Sequence, residues 1–300
     1  MEKIAVVGSA NLDLVVSVNH LPSPGETILG SSFDKIPGGK GANQAVAASK
    51  LGGQVSFIGC IGSDQEGKII RENLENANVD CEFLFSSSKM PTGIAMIGVD
   101  KDGNNSIIVN PSANSDLSHE KIDKASAALE SAKVVLLQLE IPVSSVEAAI
   151  DRAKGITILN PAPSTNLSSG LLEKVDVLIP NQVELAHLSN KKTFHDIDEV
   201  QDAASGLGVE TVITTLGSKG ALIVSNGVSE LVPSPAVESV DTTGAGDSFC
   251  GSVAVLLSRG LDLSETVKRS VVAAALSTTK HGAQNSMPEI SEVDSFLKQI

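Results

Sequence analysis

The sequence DTTGAGDSF at positions 241–249 combines small residues with a carboxylate where a helix is expected to begin. Gly244, Ala245 and Gly246 end an irregular, glycine-rich segment, and the run at 248–257 is compatible with a helix. The first N–H groups of a helix have no partner inside the helix and carry partial positive charge. Glycine lets a phosphate approach such a backbone closely. The segment therefore predicts an anion site.

Asp247 is the unexpected residue of this segment, because a carboxylate beside an anion site repels the anion unless it has a task of its own. One hypothesis is that Asp247 is a general base. It would take the proton from a substrate hydroxyl as that oxygen attacks a phosphorus held over Gly244–Gly246. The alternative is that Asp247 only complements the helix dipole. Short glycine motifs occur often by chance, so the motif alone leaves both readings open.

A second glycine-rich segment, PGGKGANQ at 37–44, opens a helix that the sequence predicts over residues 45–51. The segment lacks the GxxxxGK[ST] order of a P-loop, since Lys40 lies among the glycines. Hydroxyl groups are therefore better ligands for it than phosphate. Gly39 permits close approach, and the amide of Asn43 offers both a donor and an acceptor.

Polar residues recur where the predicted buried strands end. In open α/β sheets, ligands bind in the crevice outside the carboxyl ends of the strands. A single polar residue there is a turn, but a recurring set indicates a shared crevice, which favours the catalytic reading of Asp247. The residues at these strand ends are Asn11, Asp13, Glu140, Asn160, Asn181, Thr215, Gly217 and Asp241.

Strands and helices alternate along most of the chain, which predicts an α/β fold with a mainly parallel sheet and helices on both faces. Strands at 92–99 and 106–110, joined by a turn at 102–104, interrupt this alternation and predict a small separate sheet. The predicted strands are 4–7, 55–59, 134–139, 157–159, 175–179 and 211–215, and the predicted helices are 66–76, 118–131, 143–153, 183–188, 197–207, 264–279 and 293–299.

Composition narrows the range of functions. The 300 residues carry a formal net charge of −14, which argues against nucleic acid or an anionic membrane as a partner. Aromatic residues make up 2%, with no Trp or Tyr, so a sugar would be held by polar side chains. The three cysteines suggest neither a disulfide framework nor a metal site, and no signal peptide or transmembrane helix is predicted. A cytoplasmic protein is expected.

The two glycine-rich segments together resemble the signatures of the ribokinase family of carbohydrate kinases, part of the phosphofructokinase-B-like superfamily. The resemblance covers essentially the whole chain and implies one ribokinase-like α/β domain over residues 1–300. A small β-sheet lid would be built from segments near 11–37 and 92–110. Further matching segments are LQLE at 137–140, NPAP at 160–163, PNQVE at 180–184, TLGSKG at 215–220 and GAQ at 282–284.

This resemblance implies phosphorylation of D-ribose at O5 by ATP and Mg²⁺, giving D-ribose 5-phosphate for pentose phosphate metabolism. Asp247 would be the base, and Gly244, Ala245 and Gly246 would hold the transferred phosphoryl group. Glu184 would act on Mg²⁺ and phosphate through water. The residues that match the sugar site are Asn11, Asp13, Gly39, Lys40, Asn43, Glu140 and Asp247, and those that match the nucleotide site are Asn181, Glu184, Thr215, Gly217, Ser218, Gly220 and Gly246.

The same resemblance implies an activating monovalent cation, K⁺, held largely by main-chain oxygens beside the anion site. It also implies a homodimer formed by pairing of two lids. Two positions depart from the common pattern, Thr243-Gly244 and Val271, and both bear on nucleotide affinity rather than on phosphoryl transfer. The residues that match the cation site are Asp241, Thr243, Ser277, Lys280, Gly282 and Ser286.

Three alternatives remain at this stage. A sister kinase, such as a deoxyribokinase, fructokinase or adenosine kinase, would differ only in its acceptor. A catalytically silent sugar-binding protein is disfavoured because it would have no chemical need for Asp247 or Glu184. A dinucleotide-binding oxidoreductase is disfavoured because the segment after the first strand, which begins at Gly8, lacks the later glycines of GxGxxG.

Overall fold

A computed structural model describes residues 3–299, and within this range the chain forms one nine-stranded and one four-stranded sheet. The first third of the chain supplies the small sheet and one edge of the large sheet. Its elements are β1 (Lys3–Val7), β2 (Asn11–Ser17), β3 (Ser32–Gly38), α1 (Lys40–Lys50), β4 (Gln54–Gly62), α2 (Gln65–Asn76), β5 (Leu84–Ser87), β6 (Gly93–Val99) and β7 (Asn105–Asn110).

The rest of the chain alternates between helices and strands, with short 3-10 helices at Ser112–Asp116 and Gly217–Lys219. Its other elements are α3 (His119–Lys124), α4 (Ser126–Ser131), β8 (Val134–Leu137), α5 (Val143–Arg152), β9 (Ile156–Leu159), α6 (Ser169–Leu172), β10 (Val177–Leu178), α7 (Gln182–Leu188), α8 (Ile197–Ser205), β11 (Thr211–Thr215), β12 (Ala221–Ser225), β13 (Val228–Val232), α9 (Ala245–Ser258), α10 (Leu263–Ser277) and α11 (Ile290–Leu297).

The large sheet has the order β13-β12-β11-β10-β9-β8-β1-β4-β5. Its pairs are parallel from β11 through to β5, whereas β12 runs antiparallel to both of its neighbours. Alternate residues of β1 enter two separate apolar cores. Ile4 and Val6 pack with α1, α9 and α10, while Ala5 and Val7 pack with α3, α5 and α8. Helices therefore cover both faces of the sheet, as the alternation of strands and helices predicted.

The small sheet has the order β3-β2-β6-β7, which confirms the second sheet predicted from the interrupted alternation. β6 and β7 form the expected antiparallel hairpin. The carboxylate of Asp100 closes its turn by accepting hydrogen bonds from the N–H groups of Asp102 and Asn104, both at 2.9 Å. Large apolar side chains remain exposed on this sheet, including Phe33 (57%) and Ile108 (62%).

Contact between α1 and α9 brings the two glycine-rich helix starts together. A Cβ atom at Gly251 of α9 would lie 2.7 Å from the Cβ of Ala47 and 2.8 Å from the carbonyl oxygen of Gln44. These distances are shorter than van der Waals contact, so only glycine permits this spacing. The close approach places the first turn of α1 beside the first turn of α9.

Some predicted elements differ from the observed ones. The helix predicted at 118–131 is two helices, which break at Ala125, and the strand predicted at 175–179 is reduced to the two residues of β10. β3, β5 and α6 were not predicted. β3 is mostly exposed and contains Pro37, so it lacks the apolar alternation that marks a half-buried strand.

In the part of the chain that the structure describes, no helix is long and apolar enough to cross a membrane.

Candidate active site

Asp247 lies in the first turn of α9, and its side chain is only 8% exposed. The helix begins immediately after Gly244, whose φ of 76° is in the left-handed region that favours glycine. Apart from its chain neighbours and the nearby backbone of its own helix, no described atom lies within 4 Å of a Cβ built on Gly246, so this side of the backbone faces open space. The N–H of Ala245 donates to the carbonyl of Thr242 over 3.2 Å, a long bond that an anion could replace.

Two side-chain amides from α1 hold the Asp247 carboxylate. Asn43 Nδ2 donates to Oδ2 at 2.9 Å, and Gln44 Nε2 donates to Oδ1 at 3.0 Å. Burial raises the pKa of Asp247, while the charge of Lys40 and these two hydrogen bonds oppose the rise. A carboxylate in this position is a stronger base than an exposed one and is already oriented.

Two further carboxylates interact electrostatically with Asp247. Glu140 Oε2 accepts hydrogen bonds from Ser9 Oγ at 2.6 Å and from the N–H of Lys40 at 3.1 Å. Burial raises the pKa of Asp13 to about 7, and the negative charges of Glu140 and Asp247 add to the rise. Burial alone would lower the pKa of Lys40, but the surrounding carboxylates, chiefly Asp247 and Glu140, raise it. Lys40 is therefore the cation of an acidic cluster.

Asn11 lies at the start of β2, and Asn114 of a 3-10 helix fixes its orientation. Asn114 Nδ2 donates to Asn11 Oδ1 at 2.7 Å, while Asn114 Oδ1 accepts from the N–H of Ala10 at 2.9 Å. Because the oxygen of Asn11 is already engaged, its amide nitrogen is the group that can donate to a ligand. Asn114 could not be identified from the sequence, because it belongs to no motif.

Two adjoining cavities flank Asp247, and Thr215 and Gly246 line both of them. The smaller, of about 150 Å³, is lined by polar groups that include Lys40, Asn160 and Asp247. The larger, of about 520 Å³, is lined by the predicted nucleotide residues Thr215, Gly217, Ser218, Gly220 and Gly246, by Val271, and by the unpredicted segment 234–237.

Asn181 and Glu184 line the smaller cavity, not the larger one. They also form a capping box at the start of α7, in which Glu184 N donates to Asn181 Oδ1 and Asn181 N donates to Glu184 Oε2, both at 2.8 Å. Burial raises the pKa of Glu184, against the hydrogen bond from Asn181 and the charge of Lys40. Asn181 and Glu184 therefore lie beside Asp247. They are expected to act near the phosphates of a nucleotide rather than near its adenine ring.

The side chain of Asp241 joins two loops that contain predicted cation-site residues, one with Thr243 and the other with Gly282. Its Oδ1 accepts from the N–H of Thr243, and its Oδ2 accepts from the N–H of Gly282, both at 2.9 Å. Burial would raise the pKa of Asp241, but these hydrogen bonds hold it below its usual value. The carboxylate of Asp241 thus retains its negative charge between the two loops.

Three further residues of the predicted cation site have side chains that are engaged elsewhere. Ser277 Oγ and Ser286 Oγ each donate to a carbonyl three residues earlier at 2.8 Å. The ammonium group of Lys280 is turned to the surface, where it pairs with Glu292 at 2.7 Å. Within residues 3–299, no group of three or more His, Cys, Asp or Glu side chains is placed to hold a metal ion.

Comparison with known proteins identifies the family. The family described as pfkB family carbohydrate kinase matches residues 1–290. A ribokinase from Haemophilus influenzae is 39% identical over 300 residues, covering 98% of this chain and 98% of that protein. A deoxyribokinase from Salmonella typhi is 36% identical over 301 residues, again 98% of each. The chain belongs to the pfkB family of carbohydrate kinases.

Solved structures agree with this placement. The crystal structure of ribokinase from Thermotoga maritima has a TM-score of 0.92 and 40% identity, covering 99% of this chain and 100% of that one. A ribokinase from Arabidopsis thaliana complexed with ribose and ATP has a TM-score of 0.89 and 34% identity, covering 99% and 98%. The predicted ribokinase-like α/β fold is therefore confirmed.

Replacing Asp13 by Asn is expected to stabilise the protein, more at pH 8 than at pH 5. The pKa of Asp13 rises from 3.8 to about 7 on folding, so folding takes up a proton between these values. Ionised Asp13 therefore destabilises the fold increasingly as the pH rises toward 8. The free energy of unfolding of Asp13→Asn should exceed that of the parent by on the order of 1–3 kcal/mol at pH 8.

Urea unfolding at both pH values measures this difference. Asp34→Asn, at an exposed position of β3, serves as the control and should leave stability unchanged at either pH. A gain for Asp13→Asn that is the same at pH 5 and pH 8, or a loss at pH 8, would contradict the raised pKa.

Proposed function

We propose that this chain catalyses ATP-dependent phosphorylation of D-ribose at O5. The observation that carries the proposal is the placement of Asp247, which lines the small polar cavity while the adjoining Gly246 borders both cavities. A nucleotide in the larger cavity and a sugar beside Asp247 would meet there; of the residues proposed to hold the sugar, Lys40 and Asp247 line the smaller cavity. The similar ribokinases, including the one complexed with ribose and ATP, support this choice of substrates.

The acidic cluster is suited to a polyol. Asp13 and Glu140 accept hydrogen bonds, whereas Lys40 and the amide nitrogen of Asn11 donate them. Buried polar groups of this kind discriminate against a ligand that leaves them unpaired. The residues proposed to hold the sugar are Asn11, Asp13, Gly39, Lys40, Asn43 and Glu140, with Asp247 at the reacting hydroxyl.

Asp247 would accept the proton of the 5-hydroxyl as O5 attacks the terminal phosphorus of ATP. The hydrogen bonds from Asn43 and Gln44 leave each carboxylate oxygen with further acceptor capacity. The N–H groups at the start of α9, between Gly244 and Gly246, would stabilise the charge on the transferred group. Lys40, half-buried and attracted by Asp247, would contribute a positive charge at the same point.

The nucleotide would occupy the larger cavity, with its phosphates directed to the start of α9. Thr215, Gly217, Ser218 and Gly220 would border it. Mg²⁺, when bound, would neutralise phosphate charge, and Glu184 beside Asn181 is the carboxylate placed to reach it through water. A protein of net charge −14 needs such compensation to bind a polyanion.

An activating K⁺ forms part of the proposal. It would bind between the loops joined by Asp241, with Thr243, Gly282 and main-chain oxygens around Ser277, Lys280 and Ser286. The residues fit this role, because Asp241 fixes both loops and keeps its negative charge. A cytoplasmic location is also proposed, consistent with three buried free thiols among the described residues, at Cys60, Cys81 and Cys250.

A deoxyribokinase is the second candidate, because a protein of that name is nearly as similar to this chain as the ribokinases are. The two sugars differ by one hydroxyl group. The cluster around Asp13, Glu140 and Asn11 favours ribose because it supplies more hydrogen-bonding groups than the smaller sugar can satisfy.

Replacing Asp247 by Asn should lower kcat with D-ribose by at least ~10², because the variant loses the general base but keeps the shape of the site. Sugar binding should persist, since the other sugar-site residues are unchanged. Coupled assay of ADP release gives kcat, and ribose-dependent thermal shift reports binding. Asp198→Asn on the exposed start of α8 is the control, and near-normal turnover by Asp247→Asn would refute the assignment.

We further propose that the small sheet is a lid and that two lids pair in a homodimer. β3 and β7 are its edge strands, and exposed edges with apolar side chains require cover. Ile108 on β7 is 62% exposed. Ile108→Lys should therefore change the mass in solution from about two chains to one chain of 30.9 kDa.

Analytical ultracentrifugation tests this expectation. Val228→Lys is the matched control, because Val228 is 69% exposed on β13, at an edge of the large sheet. A parent protein that sediments as one chain, or an Ile108→Lys protein that remains dimeric, would contradict lid pairing.

A further inference from the structure

The two amides that hold Asp247 are themselves held by other amides. Gln138 Nε2 donates to Gln44 Oε1 at 2.6 Å, and Gln284 Nε2 donates to Asn43 Oδ1 at 2.9 Å. One oxygen of the Asp247 carboxylate thus lies at the end of a chain of two side-chain amides, and the other at the end of a chain of three, since Asn73 Nδ2 donates to Gln284 Oε1 at 2.5 Å. The donors in both chains point toward the carboxylate.

The direction of the Gln44 amide matters, because its two ends differ in chemistry. Gln44 Nε2 donates to Asp247 Oδ1 at 3.0 Å and to Asn160 Oδ1 at 3.2 Å. A half-turn of the amide would place its oxygen against these two oxygens, which repel it. Gln138 opposes that rotation by donating to the oxygen of Gln44 in its present position.

The environment of the Gln138 side chain is unfavourable for a polar group. It is 0% exposed, and its Oε1 accepts no hydrogen bond from any residue that the structure describes. The side chain fits only because residue 8 is glycine, since a Cβ there would lie 1.9 Å from Oε1. A buried acceptor without a partner lowers stability, so an apolar side chain of similar size would pack at least as well. An apolar side chain at position 138 would lack the amide group that donates a hydrogen bond to Gln44 Oε1.

We propose that Gln138 is a positioning residue for Asp247 and acts through Gln44. The inference rests on the proposed function, in which Asp247 is the general base. Gln138 is not among the residues that line either cavity beside Asp247, so it acts on catalysis only through the orientation of the carboxylate.

Gln138→Met tests the proposal, because Met has similar volume but no donor. We expect kcat to fall roughly 10- to 100-fold, since small misplacement of a reacting group has effects of this size. The KM for the sugar should stay within about twofold, since no group that binds the sugar changes. The melting temperature should change little, because the variant removes the unpartnered Oε1 of Gln138 but leaves Gln44 Oε1 without its donor. A kcat within about twofold of the parent, or a protein that does not fold, would overturn the proposal.

A double-mutant cycle separates positioning from a general structural effect. Gln44→Met removes the donor to Asp247 directly and should reproduce or exceed the loss of kcat in Gln138→Met. The double variant should then be no slower than Gln44→Met alone, because Gln138 has no other route to Asp247. Losses that multiply in the double variant would show that Gln138 acts independently of Gln44 and would overturn the proposal.

The titration of Asp247 gives a readout that does not need turnover. A donor to the carboxylate favours the charged form, so weakening it should raise the pKa of Asp247 in Gln138→Met, as followed by carboxyl-selective NMR. The charged or titratable groups facing Asp247 are unchanged in this variant; they are Asp13, Lys40, Glu140, Glu184 and Cys250. An unchanged titration of Asp247 would overturn the positioning role even if the parent enzyme phosphorylates ribose. Conversely, absence of sugar phosphorylation by the parent protein would refute the proposed function, whatever this titration shows.

Discussion

The hydrogen bonds from Asn43 and Gln44 to Asp247 are the contact on which the site depends. They join residues 204 and 203 positions apart and hold the start of α1 against the start of α9. Gly251 makes the approach possible, because a side chain there would collide with α1. The same contact orients the carboxylate and brings α1, proposed to face the sugar, to α9, proposed to face the phosphate. Fold and chemistry are therefore linked at one carboxylate.

The two parts of the site differ in charge, as binding of a neutral sugar and of a negatively charged nucleotide would require. Carboxylates at Asp247, Glu140 and Glu184 act on Lys40, and burial, together with the charges of Glu140 and Asp247, raises the pKa of Asp13. Such a cluster suits a neutral ligand rich in hydroxyl groups. The start of α9 offers N–H groups and a helix dipole where the negative phosphates would lie. The two environments meet at Gly246 and Asp247, so the boundary between them coincides with the proposed point of transfer.

Elements marked by glycines, by a turn sequence or by a short apolar run were predicted from the sequence. The glycines of the two helix starts, the hairpin between β6 and β7 and the apolar strands β1 and β11 were all predicted. The break between α3 and α4 was not, because the sequence at 119–131 contains neither Gly nor Pro. The exposed strand β3 was missed because it lacks apolar alternation. In these cases tertiary packing determines what local pattern does not.

In the candidate site, too, some residues were predicted from local sequence and others are placed only by tertiary packing. Asp247, Asn43 and Lys40 belong to motifs with a chemical reading, and the structure brings them together. The partners of these residues could not be predicted, because Asn114, Gln138 and Gln284 become neighbours only through distant contacts. Lys280 was predicted at the cation site, yet its ammonium group pairs with Glu292 at the surface, so only its main chain remains available there. Sequence spacing identifies the reacting groups, while the groups that orient them require the fold.

The most direct test of the account is the choice of acceptor. Purified protein with ATP and Mg²⁺ would be assayed for ADP release with D-ribose, 2-deoxyribose, fructose and adenosine, each in K⁺ and in Na⁺. The account predicts the highest kcat/KM with D-ribose, a product phosphorylated at O5, and greater activity in K⁺. A higher kcat/KM with another acceptor would contradict the sugar assignment. If no acceptor is phosphorylated while D-ribose still raises the melting temperature, the protein binds the sugar without acting on it, and the central claim fails.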